Sequence, residues 1–222
     1  MFRDAALVAG KDLRLEWRSR IGLNQVAPLA LLFLMLFAFA LDPDHNLLLK
    51  ATPGLFWVAV LFSSMLSIQR AFSVEGADGN RDALRLSGLD PAGIFLGKFW
   101  AIAAQLLVLE ALLLLGVAVL YSARLDGFAL LALTCVVATA GIAAAGTLYG
   151  VLAAGLRVRE TLLPLLLLPA LAPVLIGATR AFAAAINGAT SDGWPWIGLL
   201  TIFALVYLGS GVVAFGPLLE ES

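Results

Sequence analysis

Few side chains in this sequence could take part in chemistry, and they are scattered along the chain. The 222 residues include a single histidine, His45, and a single cysteine, Cys135. One histidine and one cysteine cannot supply the ligands of a zinc or iron–sulfur site. A single cysteine also excludes a disulfide within the chain.

Glu110 is the only ionisable residue near the middle of a long apolar segment. A carboxyl group in such a segment usually faces a bundle interior or a water-filled cavity. Two interpretations are open. Glu110 could line the path of a substrate, or it could make a structural hydrogen bond to a neighbouring helix. An intramembrane enzyme would depend on this residue.

A glycine-rich segment before the third apolar stretch does not form a phosphate-binding loop. That motif needs a longer spacing between its glycines and a serine or threonine after its lysine. Here Gly93 and Gly97 are one residue too close, and Phe99 follows Lys98. The G-x-S-x-G and H-E-x-x-H motifs are also absent. We therefore expect no catalytic residue, no metal and no cofactor held by this chain.

The composition is typical of an integral membrane protein. Hydrophobic residues make up 62% of the chain, which is more apolar surface than a soluble core of this length can bury. The 14 basic and 15 acidic residues leave a net charge of −1. Because no basic excess is available to bind phosphates, nucleic acid is excluded as a partner.

Long stretches free of charge predict six membrane-spanning helices, since each is near the roughly 20 residues that one crossing needs. They do not alternate apolar and polar residues as barrel strands do. The fold is therefore predicted as an all-α integral membrane protein with one transmembrane domain, 1–222. The predicted spans cover about 21–41, 53–70, 98–121, 128–155, 161–179 and 196–217. The second is the shortest and contains serines, so a re-entrant segment is the alternative there.

The basic residues predict the orientation of these spans. Six crossings put both termini on one side, and most of the 14 lysines and arginines lie on that side. Only Lys50, Arg124 and Arg180 fall on the other. The positive-inside rule then predicts a multi-pass membrane protein with both termini in the cytoplasm.

Residues 2–20 predict an amphipathic helix lying along the cytoplasmic membrane surface. Apolar residues recur every three or four positions, while basic residues occupy another face. The predicted apolar stripe consists of Phe2, Ala6, Ala9, Leu13 and Trp17. The alternative is a positively charged anchor that only sets topology.

The segment 71–97 is the longest polar stretch, and we predict that it is a cytoplasmic coupling loop to which a partner docks. It contains a possible short helix at 80–87 with Gly88 as its C-terminal cap. Its exposed leucines and fixed charges favour docking over a solvated connector. The candidate docking residues are Phe72, Glu75, Asp78, Gly79, Asp82, Leu84, Leu86 and Leu89.

Two spans carry unusual residues. The fourth has Gly146 and Gly150 on a ridge of small residues that permits close helix approach, either within the chain or between two copies. The fifth contains Pro164, Pro169 and Pro173, of which the last two should kink the helix. A bent helix suits a gate or a substrate path, and a static kink is the alternative.

These segments resemble a known family, the B subunits of the cytochrome c maturation system (haem exporter protein B, the CcmB family), which are ABC-2-like permeases. The resemblance covers nearly the whole chain and is most specific in the fifth span. Gly88 departs from the proline often found at that point of the family's loop. The segments that carry the resemblance are Lys11–Arg18, Leu55–Ala59, the Phe72/Glu75/Asp78-Gly79 loop, Leu163–Pro169 and Pro173–Ile176.

The resemblance implies a homodimer whose coupling loops each bind a separate CcmA-like ATPase, so that ATP is held by the partner. It also implies association, in a bacterial inner membrane, with a haem-handling CcmC-like membrane subunit, a small CcmD-like membrane subunit and a CcmE-like haem chaperone. ATP hydrolysis would then be coupled to haem delivery or to release of the loaded chaperone. The alternatives are an ABC-2-type permease for lipid, glycan or drug, and a passive scaffold that needs no ATPase.

Overall fold

The computed structural model describes residues 1–19, 22–41, 45–73, 88–123, 127–154 and 159–221, and the regular elements in these ranges are all helical. A π-helical turn, Gly22–Val26, precedes the second α-helix. The α-helices are α1 (Phe2–Ser19), α2 (Ala27–Leu41), α3 (His45–Ser73), α4 (Pro91–Leu120), α5 (Phe128–Ala154), α6 (Arg159–Ile186) and α7 (Thr190–Glu221).

Among the described residues, six helical segments are long and apolar enough to cross a membrane: Asn24–Leu41, which adds the end of the π-helical turn to α2, and one in each of α3 to α7. The prediction of an all-α protein with six spans is therefore confirmed. The second span is one continuous helix, α3, of 29 residues, so the re-entrant alternative is wrong. Its serines do not weaken it, because the Ser64 hydroxyl donates a 2.7 Å hydrogen bond to the carbonyl of Leu61 in the preceding turn.

Two helices extend beyond the predicted spans. α3 begins at His45, before the span predicted from 53, and α4 begins at Pro91, before the span predicted from 98. In α4 the cause is a strong start signal. Asp90 caps the helix by accepting a 3.0 Å hydrogen bond from the Ala92 N–H, and a proline suits the first turn. Residues 71–73 and 91–97 are therefore helical and not part of the loop.

Small residues on α5 allow the other helices to approach it closely. A Cβ atom on Gly146 would overlap the side chain of Ile68, and one on Gly150 would overlap the ring of Phe72. Both neighbours are buried residues of α3. The ridge of small residues therefore packs within the chain, which decides between the two alternatives left open by the sequence.

The contacts identify which helix ends lie together. A Cβ on Gly216 of α7 would lie 3.5 Å from Pro91, at the start of α4, and the end of α3 packs on Gly150 near the end of α5. We call the end of the bundle where these helix termini lie the charged end, because the charged helix α1 also packs there. At the opposite end the Tyr121 hydroxyl donates a 2.9 Å hydrogen bond to the Leu34 carbonyl of α2.

The three prolines of α6 lie inside a helix that runs unbroken from Arg159 to Ile186. Pro169 and Pro173 are exposed in the chain, and Pro164 is half-buried. The opposite face packs into the bundle through buried leucines such as Leu167 and Leu171. Pro169 and Pro173 therefore face away from the core of this chain.

Candidate functional site

The N-terminal half of α1 lies directly on the first turns of α4. Gly93 and Gly97 make this possible, because a Cβ atom on Gly93 would lie 2.8 Å from the Met1 carbonyl oxygen and one on Gly97 would lie 2.6 Å from the Val8 Cβ. The glycine pair that fails as a phosphate loop is thus a helix-packing surface. Ala5 and Val8 are buried in this contact.

The predicted lipid-facing stripe of α1 is free for a membrane surface. Phe2 and Trp17 are 78% and 76% exposed, and Leu13 is also exposed. The face of α1 that packs on α4 is a separate one, which the sequence pattern did not predict. A helix at the membrane interface needs one face that packs on the protein and another apolar face that is open to lipid, and α1 has both.

Lys98 is the buried centre of the junction between α1, α3 and α4. Its side chain is only 1% exposed, and its ammonium nitrogen lies 3.7 Å from a carboxylate oxygen of Asp12 on α1. The same nitrogen lies 4.7 Å from the centre of the Phe72 ring on α3. A buried ammonium needs an opposite charge, and an aromatic face adds to its stabilisation. One lysine therefore links three helices.

A second ion pair joins α1 to α3 one turn further along. Arg70 lies 3.4 Å from a carboxylate oxygen of Glu16, and both side chains are partly exposed. Beside this pair is a cavity of about 180 Å³ between the three helices.

The amino group of Met1 and the Asp4 carboxylate hold the start of α4. The amino group lies 3.2 Å from Asp4 and 3.4 Å from Asp90, whose N–H donates to Asp4 at 3.4 Å. The hydrogen bond to the amino group lowers the pKa of Asp4, and the hydrogen bond to Asp4 raises the pKa of the amino group. Both groups remain accessible to solvent, with side-chain exposures of 39% for Met1 and 22% for Asp4, so these contacts orient the chain more than they stabilise it.

Of the predicted docking residues, only Phe72 and Leu89 are described. Phe72 is 4% exposed, with its ring between Lys98 and Gly150. Its assignment as a surface docking residue is therefore wrong, and it is instead a packing residue at the base of the loop. Leu89 is half-buried against the core. The other docking candidates, Glu75, Asp78, Gly79, Asp82, Leu84 and Leu86, lie outside the described residues.

Glu110 is buried in the middle of α4, with 1% of its surface exposed. Its carboxyl oxygen accepts a 2.5 Å hydrogen bond from the Thr139 hydroxyl of α5. It does not line the cavity at the charged end. This geometry is that of a structural contact between two helices, the second of the two interpretations.

The predicted gate residues do not come together in one path. Glu110 contacts α5 inside the bundle, whereas Pro169 and Pro173 are exposed on α6. Within the described ranges, no group of three or more histidine, cysteine or acidic residues could hold a metal ion.

The sequence reasoning missed Asp12 and Arg70 as parts of the junction. The sequence pattern indicates that both side chains are exposed to solvent, since charged residues are ordinary in cytoplasmic segments next to a membrane span. The one available signal is Lys98, a lysine followed directly by an apolar stretch. Such a residue marks either a helix end or a buried pair, and only the neighbouring helices decide which.

Comparison with known proteins identifies the family of this chain. The sequence model of the family described as CcmB protein matches residues 4–220 of the chain. The chain belongs to the CcmB family. Relatives named heme exporter protein B align with the chain along most of their length.

The relative from Haemophilus influenzae is 31% identical to this CcmB-family chain over 202 residues, which is 90% of the chain and 88% of the relative. The relative from Pseudomonas aeruginosa is 29% identical over 213 residues, which is 94% of both. A third, from Bradyrhizobium diazoefficiens, is 30% identical over 206 residues, 92% of the chain and 91% of the relative. The match therefore extends through α1 to α7.

Proposed function

We propose that this chain is the permease subunit of a haem-export ABC complex that serves cytochrome c maturation, with ATP hydrolysed on a separate subunit. Membership of the CcmB family and the names of its relatives support this role. In the proposal the chain is a homodimer with no catalytic residue of its own. ATP lies on a CcmA-like ATPase, haem is handled by a CcmC-like membrane subunit and a CcmE-like chaperone, and a small CcmD-like membrane subunit is a further partner.

The observation that carries the mechanism is the junction at the base of the loop. The loop leaves α3 just after Phe72 and enters α4 just after Asp90, and Lys98 contacts Phe72 and Asp12 together. A force on the loop therefore acts on α1, α3 and α4 as one unit. We place the charged end in the cytoplasm, on the positive-inside rule.

The coupling has an energetic requirement. To move a two-state bundle from 1:99 to 99:1, the ATPase must favour one state by about 5.5 kcal/mol. Its contacts to the loop must therefore differ between nucleotide states, because contacts of equal strength shift nothing. In our proposal this difference is coupled to haem delivery or to release of the haem-loaded chaperone.

Co-purification tests the docking. The tagged chain should carry an ATPase subunit, and the double substitution Glu75→Lys with Asp82→Lys should release it. Asp192→Lys is the matched control, since Asp192 is exposed at the opposite end of the bundle. Retention of the ATPase by the loop variant would refute the docking hypothesis, and absence of any ATPase from the wild-type preparation would favour the passive scaffold.

Deletion of the gene tests the substrate class. Cells that lack the chain should lose their c-type cytochromes, and the wild-type gene should restore them. Unchanged c-type cytochromes would favour the alternative of an ABC-2-type permease for lipid, glycan or drug.

Cysteine labelling of intact cells tests the orientation. In a Cys135→Ala background, Ser191→Cys at the opposite end should react with a membrane-impermeant maleimide. Ser87→Cys in the loop should react only after the cells are opened. Labelling of Ser87→Cys from outside would reverse the orientation and remove the proposed coupling.

A further inference from the structure

Two arginines near the end of α1, Arg14 and Arg18, have no role in the junction or in the proposed coupling. Both side chains are exposed. Within the described ranges, no carboxylate forms an ion pair with either of them. The two residues are four positions apart, so they are neighbours on one face of the helix. This face therefore presents two positive charges that the described part of the chain does not neutralise.

The acidic residues of α1 are each held by another group and do not turn toward this face. All three are bound at distances between 2.8 and 3.7 Å. The partners are the Met1 amino group for Asp4, Lys11 and Lys98 for Asp12, and Arg70 for Glu16. The net charge that α1 shows to its surroundings is therefore more positive than its composition indicates.

The two arginines adjoin the open apolar stripe of α1. Leu13 directly precedes Arg14, and Trp17 directly precedes Arg18, and both apolar side chains are exposed. Successive residues lie about 100° apart around a helix, so both arginines are on the same side of the stripe. Ala5, which packs on α4, is about two and a half turns from Arg14. The arginines therefore lie on the side of α1 that faces away from the bundle.

Helix α1 runs obliquely along α4 toward the membrane. At its start the Met1 carbonyl lies over Gly93, where an added Cβ would be 2.8 Å away. At its end Ser19 borders the same cavity as Gln105, which is about three turns further along α4. The second half of α1, which carries the two arginines, is therefore nearer to the hydrocarbon than the first half.

The end of α1 lies at the level of lipid head groups. α4 has 30 residues, which is about 45 Å at 1.5 Å per residue, whereas the hydrocarbon core is about 30 Å thick. The part after Trp100 is alone long enough to cross it. Trp100 and Trp17 are both exposed, as is typical of tryptophans at a membrane interface. Arg14 and Arg18 are within one turn of Trp17 and can reach the phosphate layer.

We propose that Arg14 and Arg18 bind the phosphates of anionic phospholipids, while Leu13 and Trp17 enter the acyl-chain region beside them. A guanidinium presents paired donors that match the geometry of a phosphate. A zwitterionic lipid also has a phosphate, but its own ammonium cancels the attraction. The exposed apolar neighbours favour a lipid surface over an acidic protein, and the inference does not depend on what the complex transports.

Lipid-specific fluorescence quenching in the full chain tests the proposal. In a Cys135→Ala background, Leu13→Cys carries a fluorophore, and the chain is reconstituted in phosphatidylcholine bilayers. These contain an equal fraction of either brominated phosphatidylglycerol or brominated phosphatidylcholine, and the two quenching curves give the relative affinity at this position. An arginine near an anionic surface contributes about 1 kcal/mol, so phosphatidylglycerol should bind about fivefold more tightly. Equal affinity of the two lipids would overturn the proposal.

Substitutions identify the residues responsible. Arg14→Gln with Arg18→Gln should bring the affinity ratio to about one, whereas Arg14→Lys with Arg18→Lys should keep the preference because the charge is kept. Arg3→Gln is the matched control on the same helix, since Arg3 is exposed at the level of Gly93 and its charge acts on Asp4. A preference that survives the double glutamine variant, or that Arg3→Gln abolishes, would overturn the assignment.

Two further measurements test the position and the physical basis of the preference. With the fluorophore on Ser191→Cys at the opposite end of the bundle, the double glutamine variant should leave the affinity ratio unchanged. In 1 M salt, where the screening length is about 3 Å, the preference at Leu13→Cys should fall toward one. A preference that does not respond to salt would overturn the electrostatic basis of the proposal.

Discussion

The packing of Phe72 against Gly150 leads to a quantitative prediction for Gly150→Ala. An added Cβ would overlap one ring carbon of Phe72 and lie 2.5 and 2.9 Å from two others. Carbon atoms in good contact are about 3.5–4.0 Å apart, so the ring must retreat by about 1 Å. It has little room, because the Lys98 ammonium lies 4.7 Å from the ring centre.

The magnitude follows from two opposing effects. Overpacking of this kind costs about 1–3 kcal/mol, and replacing glycine by alanine in a helix gains about 1 kcal/mol. Gly198→Ala in α7 is the matched control, because nothing lies within 4 Å of its added Cβ. The helix gain is common to both variants, so Gly150→Ala should be about 1–3 kcal/mol less stable than Gly198→Ala.

Equilibrium unfolding in mixed micelles, titrated with sodium dodecyl sulfate and followed by circular dichroism, measures these values. The rescue variant is Gly150→Ala with Phe72→Leu, in which the ring edge that meets the new methyl group is gone. The loss in free energy of unfolding of this double variant should be smaller than the sum of the losses of the two single variants by about 1 kcal/mol or more. If Gly150→Ala is as stable as Gly198→Ala, or if Phe72→Leu does not rescue it, the packing described here is wrong.

Three further predictions use the same unfolding assay. Asp12→Asn should lower the free energy of unfolding by about 2–3 kcal/mol, because it removes the counter charge of the buried Lys98. Lys98→Met removes the buried charge itself and should lower the free energy of unfolding by less; the reverse order would contradict the pairing. Glu110→Gln keeps an acceptor for Thr139 and should cost under about 1 kcal/mol with transport function intact, so a loss of function would restore an ionised role for Glu110. Tyr121→Phe should cost about 1 kcal/mol, since it removes a buried 2.9 Å hydrogen bond to α2; no measurable cost would mean that this bond does not form.

The number of spans could be predicted from the sequence because it depends on local composition. Each long apolar stretch must be buried in lipid or protein, and each is long enough to cross alone. The pattern of α1 was predictable for the same reason, since its apolar and basic residues repeat with the helical period. Gly88 adopts a left-handed φ of 69°, whereas the short helix predicted at 80–87, which Gly88 was expected to cap, lies outside the described residues.

The starts of α3 and α4 were not predicted, because a charge at a helix end was taken as the edge of the membrane. Lys98 breaks this rule through a contact with Asp12, which is far away in the sequence. Phe72 was assigned to the surface because it borders a polar loop, yet its ring packs against α5 through Gly150. Both errors concern contacts between distant segments, which no local pattern contains.

Because of the junction, a movement of the loop can reach the membrane helices through only a few side-chain contacts. Phe72 is one residue before the end of α3, and its ring touches α5 while its face meets the lysine of α4. A displacement of the loop therefore reaches three spanning helices and α1 within a single shell of side chains. Pro169 and Pro173 of α6 take no part in these contacts, because both are exposed on the opposite face of that helix. If the loop receives the drive that we propose, the moving unit is α1, α3, α4 and the end of α5, and α6 responds only through the bundle core.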